Sequence, residues 1–486
     1  MKFRWIAVVS LASFATYAAL TPAESRLLEP ITADLLRAHV SFLASDALEG
    51  RDTPSRGLDA AAEYIASQFR RLGLKPAAGA SYFQTAAMDA VRQPMEGFRL
   101  ELAWSGGRYT ADAGRAAVMT GQALELDAAP AVRVVWRSTE DPLPPREAVA
   151  GKAVVLSAPA RGAGWAEKRR QLLALGPALL IAPGPTFRPR TLLEERQAPG
   201  AAQTPLVLIS DAGFAEAVEA IDGPVTATVR IPAPERQPVE LKNVAAVLEG
   251  ADPRLRHEYI LLTAHYDHVG MREGSEGDRI FNGANDNASG TATVLALAEA
   301  FARQPERPRR TLVFLLYFGE EKGLVGSRYY ARHPLFPLER TVANLNFEQM
   351  GRTDDNAGSR AGKLTASGFD YTTLGELLTQ AGEETGVDAS KDGANSDSFF
   401  ARSDNQALAD AGVPAITVSV AWTFPDYHRP GDEWDRLDYA NMERAVRTCA
   451  LAVWRAANAE SAPAWIESHP NVRRYVEAAR RLHASR

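Results

Sequence analysis

Histidines and carboxylates recur in the second half of the chain, and each group follows directly after a short apolar run. In chain order the groups are His265 with Asp267 and His268, then Asp286, then Glu320 with Glu321, then Glu348, and finally Asp426 with His428 and Asp432. A single acidic residue in such a place is usually a helix cap or a solvated charge. Groups that follow several successive apolar runs indicate a shared site instead.

Imidazole and carboxylate groups are ligands that suit zinc, and the lack of cysteine ligands argues against a closed structural zinc site. Two histidines and three carboxylates are too many for one tetrahedral ion that keeps an open position. Two ions about 3.5–4 Å apart, with a bridging carboxylate, would use them all. Such a centre polarises a carbonyl group and supplies hydroxide near neutral pH. The sequence contains none of the other common hydrolase or nucleotide-binding signatures, namely HExxH, GxSxG, a P-loop or GxGxxG.

The elements that must position these groups alternate between apolar strands and amphipathic helices from Asn243 onward. We predict a helix over Thr291–Arg303 and strands at Tyr259–Ala264, Leu312–Phe318, Val342–Phe347 and Ala415–Val420. Continuous apolar strands are typical of a parallel sheet that is covered on both faces. Ligands of such sheets bind beyond the carboxyl ends of the strands, where these groups fall. The predicted fold class is therefore α/β, with a mixed, mostly parallel sheet and helices on both faces.

The rest of the chain shows two other sequence patterns. Residues 32–74 show the three- and four-residue spacing of apolar side chains that predicts helices. Residues 91–235 contain short apolar runs between prolines and glycines, which predicts a smaller, mainly β inserted domain with one helix over Glu167–Leu175. We therefore expect a catalytic domain formed by 26–90 and 236–460, an insertion at 91–235, and a C-terminal helical tail at 461–486.

The amino-terminal residues combine a basic start, a short apolar run and small residues at its end. This pattern predicts a signal peptide at 1–23 and an exported protein, periplasmic or secreted, although an anchored helix is the alternative. The formal net charge of −6 argues against a nucleic-acid or anionic-membrane partner. Cys449 is the only cysteine, so no internal disulfide can form. We expect peptide substrates, no stable membrane partner after signal removal, and a monomer.

Several runs resemble the two-zinc aminopeptidases of the bacterial leucyl aminopeptidase type, metallopeptidase family twenty-eight. They are Ala264–Gly270 (AHYDHVG), Asn282–Gly290 (NGANDNASG), Phe318–Ser327 (FGEEKGLVGS), Asn346–Arg352 (NFEQMGR) and Tyr427–Asp432 (YHRPGD). The segment Leu36–Gly50 is similar to the start of exported, longer members of the family. Gly151–Leu156 and Leu175–Gly184 resemble a protease-associated domain. The resemblance implies a zinc exopeptidase fold and removal of amino-terminal residues from peptides through a metal-bridging water.

Carried over by residue, the family pattern implies two Zn²⁺ per chain. It places one ion on His265, Asp286 and Glu348, and the other on Asp286, Glu321 and His428. It makes Glu320 the general base that takes a proton from the water and returns it to the leaving amine. Asp267 should accept the second ring proton of His265, and Tyr427 is a candidate to stabilise the oxyanion.

Two features depart from the family pattern. Many relatives have aspartate where this chain has Glu348, and histidine where it has Asn405.

Other functions remain open at this point. A metallo-carboxypeptidase or dipeptidase of the same fold is the main alternative, followed by a glutaminyl cyclase and a non-catalytic, receptor-like binding protein. Phe399, Phe400, Trp422 and Phe424 cluster near His428 in the sequence, which predicts an apolar side-chain pocket.

Overall fold

The computed structural model describes residues 20–119, 122–158, 165–184, 191–196, 204–272 and 277–484. The chain divides into two compact units, one formed by residues 1–85 and 242–486 and the other by 86–241. The second unit thus begins at residue 86 and ends at residue 241, a few residues from the expected boundaries of the insertion at 91 and 235. Within the part of the chain that is described, no helix is long and apolar enough to cross a membrane.

The regular elements are numbered along the whole chain. The helices are α1 (Pro22–Leu28), α2 (Ala33–Leu43), α3 (Arg56–Arg71), α4 (Arg146–Val149), α5 (Trp165–Leu173), α6 (Ala212–Ala220), α7 (Ser289–Ala302), α8 (Val325–Arg332), α9 (Leu374–Thr385), α10 (Asn395–Ser398), α11 (Asn405–Asp410), α12 (Tyr439–Asn458) and α13 (Arg473–Ala484). The strands are β1 (Lys75–Pro76), β2 (Phe83–Arg92), β3 (Arg99–Trp104), β4 (Gly107–Thr110), β5 (Ala116–Val118), β6 (Leu124–Val134), β7 (Ala153–Leu156), β8 (Leu179–Pro183), β9 (Leu192–Glu195), β10 (Leu206–Ile209), β11 (Val225–Ile231), β12 (Glu235–Leu248), β13 (Tyr259–His265), β14 (Thr311–Tyr317), β15 (Thr341–Phe347), β16 (Asp354–Asp355), β17 (Gly358–Ser359), β18 (Lys363–Ser367), β19 (Asp388–Ala389) and β20 (Ala415–Ser419).

The first unit is built on a mixed sheet in which β19, β18, β20, β15, β13, β14 and β12 lie side by side. The neighbours β20, β15, β13 and β14 run parallel, whereas β12 and β18 pair with them antiparallel. The predicted α/β class and the predicted strands and helix of this region are confirmed to within two residues at each end. Because four neighbouring strands are parallel, their carboxyl ends open onto one edge of the sheet.

Helices pack on both faces of this sheet. On one face the ring of Phe314 in β14 lies 6.2 Å from the ring of Phe69 in α3, measured between centroids. On the other face the ring of Tyr317 in the same strand lies 6.3 Å from that of Tyr330 in α8. Successive strand residues point to opposite faces, so residues three apart do the same. The strand β14 is consequently buried along its whole length, and β13 is buried at every residue except the first, as their continuous apolar sequences predict.

Both ends of the described chain are held by the first unit. Thr21 caps α1, and Glu24 of that helix pairs with Arg455 of α12 at 3.2 Å. In α13, Tyr475 and Val476 belong to the hydrophobic core that includes β13 and β14. The expected signal peptide covers mainly residues 1–19, which lie outside the described residues, and it stays a prediction.

The second unit contains an eight-stranded sheet in the order β4, β3, β11, β6, β7, β8, β10, β5. Alternate residues of its central strands enter two separate apolar clusters, since Val155 faces one and Val154 the other. Phe214 of α6 covers the first cluster and Leu172 of α5 covers the second. The predicted helix near Glu167 is confirmed, whereas α6 was not predicted. Its identity as a protease-associated-like domain stays a prediction.

Candidate metal centre

The predicted site residues meet at the carboxyl edge of the first unit's sheet. His265 is the last residue of β13, and Glu348 directly follows β15. Glu320 and Glu321 lie in the loop after β14, while Asp286 lies in a one-turn segment, Ala284–Ala288, that leads into α7. His428 lies in the loop after β20. The topology therefore brings together side chains that are separated by up to 163 positions in the sequence.

His265 is fully buried and faces two carboxylates. Its Nε2 lies 3.2 Å from Oε1 of Glu348 and 3.5 Å from Oδ1 of Asp286. Donor atoms of His265, Glu320 and Glu348 all lie within 4.8 Å of one another. Burial by itself would lower the pKa of His265, but the neighbouring carboxylates, above all those of Asp267 and Asp286, raise it well above its usual value.

A second cluster surrounds His428. Its Nε2 lies 3.0 Å from Oδ2 of Asp286 and 3.0 Å from Oε1 of Glu321. Donor atoms of His268, Asp286, Glu321 and His428 lie within 4.8 Å of one another. Burial favours the neutral ring, yet Asp286 and Glu321 raise the pKa of His428 to about 10. The two clusters are therefore distinct, and the carboxylate of Asp286 faces both of them.

The donor set fits zinc. Asp286 presents Oδ1 to one histidine and Oδ2 to another, as a carboxylate shared by two ions would. Nε2 of His428 is buried and makes no hydrogen bond of normal geometry, although two carboxylate oxygens lie 3.0 Å away. Buried polar atoms almost always have partners in folded proteins. A buried imidazole nitrogen such as Nε2 of His428, with carboxylate oxygens close by, is what a bound zinc ion would satisfy.

The neighbours Glu320 and Glu321 have opposite electrostatic environments. Burial raises the pKa of Glu320 well above its usual value, and the carboxylates of Glu321 and Glu348 raise it further, against the effect of His265. Burial and Asp286 would also raise the pKa of Glu321, but its contacts with His268 and His428 lower it to about 2. The surroundings thus favour the ionised form of Glu321 and disfavour the ionised form of Glu320.

Asp267 contacts His265 as expected, but mainly through its main chain. Nδ1 of His265 lies 3.2 Å from the carbonyl oxygen of Asp267 and 3.5 Å from its Oδ1. The carboxylate itself accepts hydrogen bonds from the main-chain N–H groups of Glu320 at 3.1 Å and Glu321 at 3.3 Å, and from Thr53 Oγ1 at 3.2 Å. The predicted carboxylate contact is therefore the longer of the two, because the carboxylate holds the glutamate loop instead.

Two buried residues that hold the metal loops were not assigned these roles from the sequence. Asp432 accepts hydrogen bonds from the main-chain N–H groups of Asn285 at 2.9 Å and Asp286 at 3.0 Å. Arg51 is fully buried and donates to main-chain carbonyls next to two of the predicted ligands in the sequence, including that of Tyr266 at 2.8 Å, after His265, and that of Asn282 at 2.7 Å, before Asp286. Asp432 lies within the YHRPGD run, so the sequence contained a signal for it. For Arg51 the only signal was that the segment directly before it, Leu36–Gly50, is similar to the start of exported family members.

The aromatic residues near the last strand divide between the site and the core. The ring of Tyr427 stacks on that of His428, with centroids 4.1 Å apart, and its side chain is 37% exposed. Phe399 stacks on Trp422 at 4.9 Å. Phe400 is buried in the hydrophobic core of the first unit, so the predicted pocket is wrong for this residue.

Comparison with known proteins agrees with this geometry. Residues 243–453 match the sequence profile of Peptidase family M28. Aminopeptidase YwaD of Bacillus subtilis is 26% identical over 220 residues, which are 43% of this chain and 44% of that protein. A protein of Pyrenophora teres named "Probable zinc metalloprotease" is 27% identical over 290 residues, or 54% and 59% of the two chains. The chain thus spans roughly two to three fifths of the length of these curated relatives.

Solved structures show the same fold. An aminopeptidase from Aneurinibacillus sp. strain AM-1 superposes with a TM-score of 0.60 at 21% identity, over 90% of this chain and 96% of that one. The zinc aminopeptidase BSAP of Bacillus subtilis gives a TM-score of 0.52 at 20% identity, over 89% and 97%. The candidate metal centre, from His265 to His428, lies within the residues that match the M28 family. Residues 243–453 form a Peptidase family M28 domain.

Proposed function

We propose that the chain is an exported two-zinc aminopeptidase that hydrolyses the amino-terminal residue from peptides. The observation that carries this proposal is the carboxylate of Asp286, whose two oxygens face His265 and His428. Each of these histidines has a further carboxylate of its own, Glu348 at 3.2 Å and Glu321 at 3.0 Å. The M28 profile and the relatives named aminopeptidase support the proposed reaction, and the amino-terminal sequence pattern supports export.

The proposed ligands form two sets that share one member. His265, Asp286 and Glu348 would hold the first ion, and Asp286, Glu321 and His428 the second. When bound, the zinc ions polarise the scissile carbonyl and lower the pKa of the attacking water. Glu348 reaches His265 at 3.2 Å, so a glutamate is accommodated at the position where many family members have aspartate.

Glu320 is proposed as the general base. Donor atoms of Glu320, His265 and Glu348 lie within 4.8 Å of one another, so Glu320 belongs to the cluster of His265 rather than to that of His428. The raised pKa of Glu320 suits a group that takes a proton from the attacking water and returns it to the leaving amine. Asp267 is a positioning residue, because its carboxylate binds the main-chain N–H groups of Glu320 and Glu321.

Tyr427 is proposed to stabilise the oxyanion that forms when water attacks the carbonyl. Its ring is fixed by stacking on His428, and the residue is partly exposed, so part of the side chain is open to a substrate. Partial burial and the carboxylates of Asp286 and Glu321 raise the pKa of Tyr427, so the hydroxyl keeps the proton that it must donate.

Metal analysis tests the centre directly. The purified protein should hold two zinc ions per chain, and a chelator should abolish activity that added zinc restores. His265→Ala and His428→Ala should each lose one ion, because each removes the histidine of one proposed set. Full activity in protein from which all metal has been removed would disprove the proposal.

Substrates blocked at either end test which end of the peptide is recognised. One dipeptide is assayed in two forms, with a free amine and an amidated carboxyl group, or with an acetylated amine and a free carboxyl group. An aminopeptidase hydrolyses only the first form. Hydrolysis of the second form alone would identify a carboxypeptidase, and turnover of neither form, with two ions bound, would favour a binding protein.

The second unit is proposed to guide or restrict the entry of peptides. None of the proposed ligands belongs to residues 86–241. The proposal predicts that replacing the unit by a short linker changes the preference for peptide length while zinc content stays at two ions. Unchanged kinetics with peptides of all lengths would leave it as a spacer.

A further inference from the structure

His268 is a third histidine at the centre, and neither the family pattern nor the proposed reaction gives it a role. Its side chain is fully buried. Nδ1 lies 3.0 Å from Oε1 of Glu321 and 4.0 Å from Oδ2 of Asp286. Its ring lies edge-on to that of His428, with centroids 5.3 Å apart. These contacts place it in the second cluster rather than beside His265.

The surrounding loops fix the ring in this position. A Cβ atom at Gly283 would lie 2.5 Å from Cδ2 of His268, so only glycine leaves room for the ring there. The main-chain N–H group of His268 donates to the carbonyl oxygen of Arg51 at 3.1 Å. Neither ring nitrogen makes a hydrogen bond of normal geometry, although both are buried. A fixed, buried imidazole whose nitrogen faces two carboxylates is a candidate metal ligand.

The spacing of the donor atoms agrees with a coordination shell. Ligand atoms about 2.0–2.1 Å from a tetrahedral zinc ion lie roughly 3.3 Å from one another. Four distances are available among the donors of His268, Asp286, Glu321 and His428, and they are 3.0, 3.0, 3.0 and 4.0 Å. These distances lie on either side of the roughly 3.3 Å expected between zinc ligands. Small movements of the four side chains on metal binding would therefore complete the coordination shell.

We propose that His268 is a ligand of the second zinc ion, together with Asp286, Glu321 and His428. This inference rests on the two-ion centre proposed above. The second position then has two imidazoles and two carboxylates, whereas the first keeps only His265 as a histidine. A full set of four protein ligands is typical of a closed zinc site, and three ligands are typical of a site that keeps a position for water or substrate. The two ions would therefore differ in coordination, and the first would keep the position for water or substrate.

X-ray absorption spectroscopy of the zinc-loaded wild-type protein counts histidines per ion without any mutation. Three ligating histidines on two ions give an average of about 1.5 histidines per zinc, whereas the two of the family pattern give about 1.0. Zinc content is measured first on the same sample. Two bound ions with about 1.5 histidines each support the assignment. Two bound ions with about 1.0 overturn it and leave the proposed function intact. A protein that saturates at one ion overturns the two-ion centre itself.

Chelator competition with variants separates a ligand from a residue that only orients Glu321. In His268→Asn, the side-chain amide can still donate a hydrogen bond toward Glu321 but is a poor zinc ligand. Orienting partners contribute about 10–100-fold to metal affinity, so the loss of a ligand should weaken one of the two ions by more than about 100-fold in this variant. Affinities equal to wild type in His268→Asn would overturn the proposal. His39→Ala is the matched control, because His39 is also buried but bonds to Tyr64 at 2.9 Å, away from the ligands.

Discussion

Arg51 should determine whether the metal loops keep their shape. Its guanidinium group is fully buried and donates hydrogen bonds to four main-chain carbonyls: Tyr266 at 2.8 Å, Asn282 at 2.7 Å, Gly283 at 3.0 Å, and Leu43. Tyr266 lies next to His265, and Asn282 and Gly283 directly precede the segment that carries Asp286. Burial lowers the pKa of Arg51 to about 10, so the group stays charged at neutral pH.

Replacing Arg51 by methionine keeps an unbranched side chain and removes every donor. The carbonyl of Gly283 keeps the main-chain N–H group of Ala288 at 3.1 Å, so the carbonyls of Tyr266, Asn282 and Leu43 lose their donor. A buried carbonyl without a partner costs about 1–3 kcal/mol, so three of them cost about 3 kcal/mol even at the low end. Domains are stable by only about 5–15 kcal/mol. We therefore expect Arg51→Met to fold marginally, with a large fall in the free energy of unfolding, and to bind zinc more weakly because its loops are freed.

Urea unfolding and chelator competition, each on the same preparations, measure the two effects. The control is Arg310→Met, since Arg310 is also buried and donates to the main-chain carbonyls of Ala456 at 3.1 Å and Ala459 at 2.5 Å, away from the metal loops. Both variants should lose stability, but only Arg51→Met should lose zinc affinity. If the two variants bound zinc equally well, the loops would not depend on Arg51 and the reasoning would be refuted.

Two further predictions concern the centre itself. Glu320→Gln should keep both ions while turnover falls about 10²–10⁴-fold, whereas Glu321→Ala should lose an ion. Zinc content and turnover, measured on both variants, check this prediction. If Glu320→Gln lost an ion and Glu321→Ala kept both, the two roles would have to be exchanged. Zinc binding must displace the proton that the pKa of about 10 keeps on His428, so below about pH 10 the apparent zinc affinity should rise about tenfold per pH unit for each displaced proton. Chelator competition between pH 6 and 8 tests this, and a flat affinity would contradict it.

The strands and the ligand positions could be predicted because both depend on local sequence. A strand buried on both faces needs a continuous apolar run, so β13, β14 and β15 stand out, and the first polar residues after each run fall at the ligand-binding edge. His265 and Glu348 were identified in this way. The helix α6 was not predicted, because its alanine-rich sequence has only Phe214 and Val218 as large buried side chains, too few for a clear period.

The residues that hold the loops could not be predicted from spacing. Arg51 bonds to carbonyl groups more than 200 positions away, and an arginine in a sequence is far more often a surface charge. His268 is a similar case. It follows β13 like His265 and Asp267, but its assignment to the second cluster depends on the path of the loop, which the left-handed backbone of Gly283 helps to set.

The adjacent glutamates show why a role depends on three-dimensional surroundings rather than on residue type. Composition and periodicity do not distinguish Glu320 from Glu321. In the structure, however, Glu321 turns toward His268 and His428, and Glu320 lies with His265 and Glu348. The histidines keep Glu321 ionised with a pKa of about 2, whereas burial and neighbouring carboxylates raise the pKa of Glu320. Titratable neighbours whose pKa values are driven apart are suited to different tasks. The ionised member can hold a cation at all working pH values, and the member that accepts a proton can move one during the reaction.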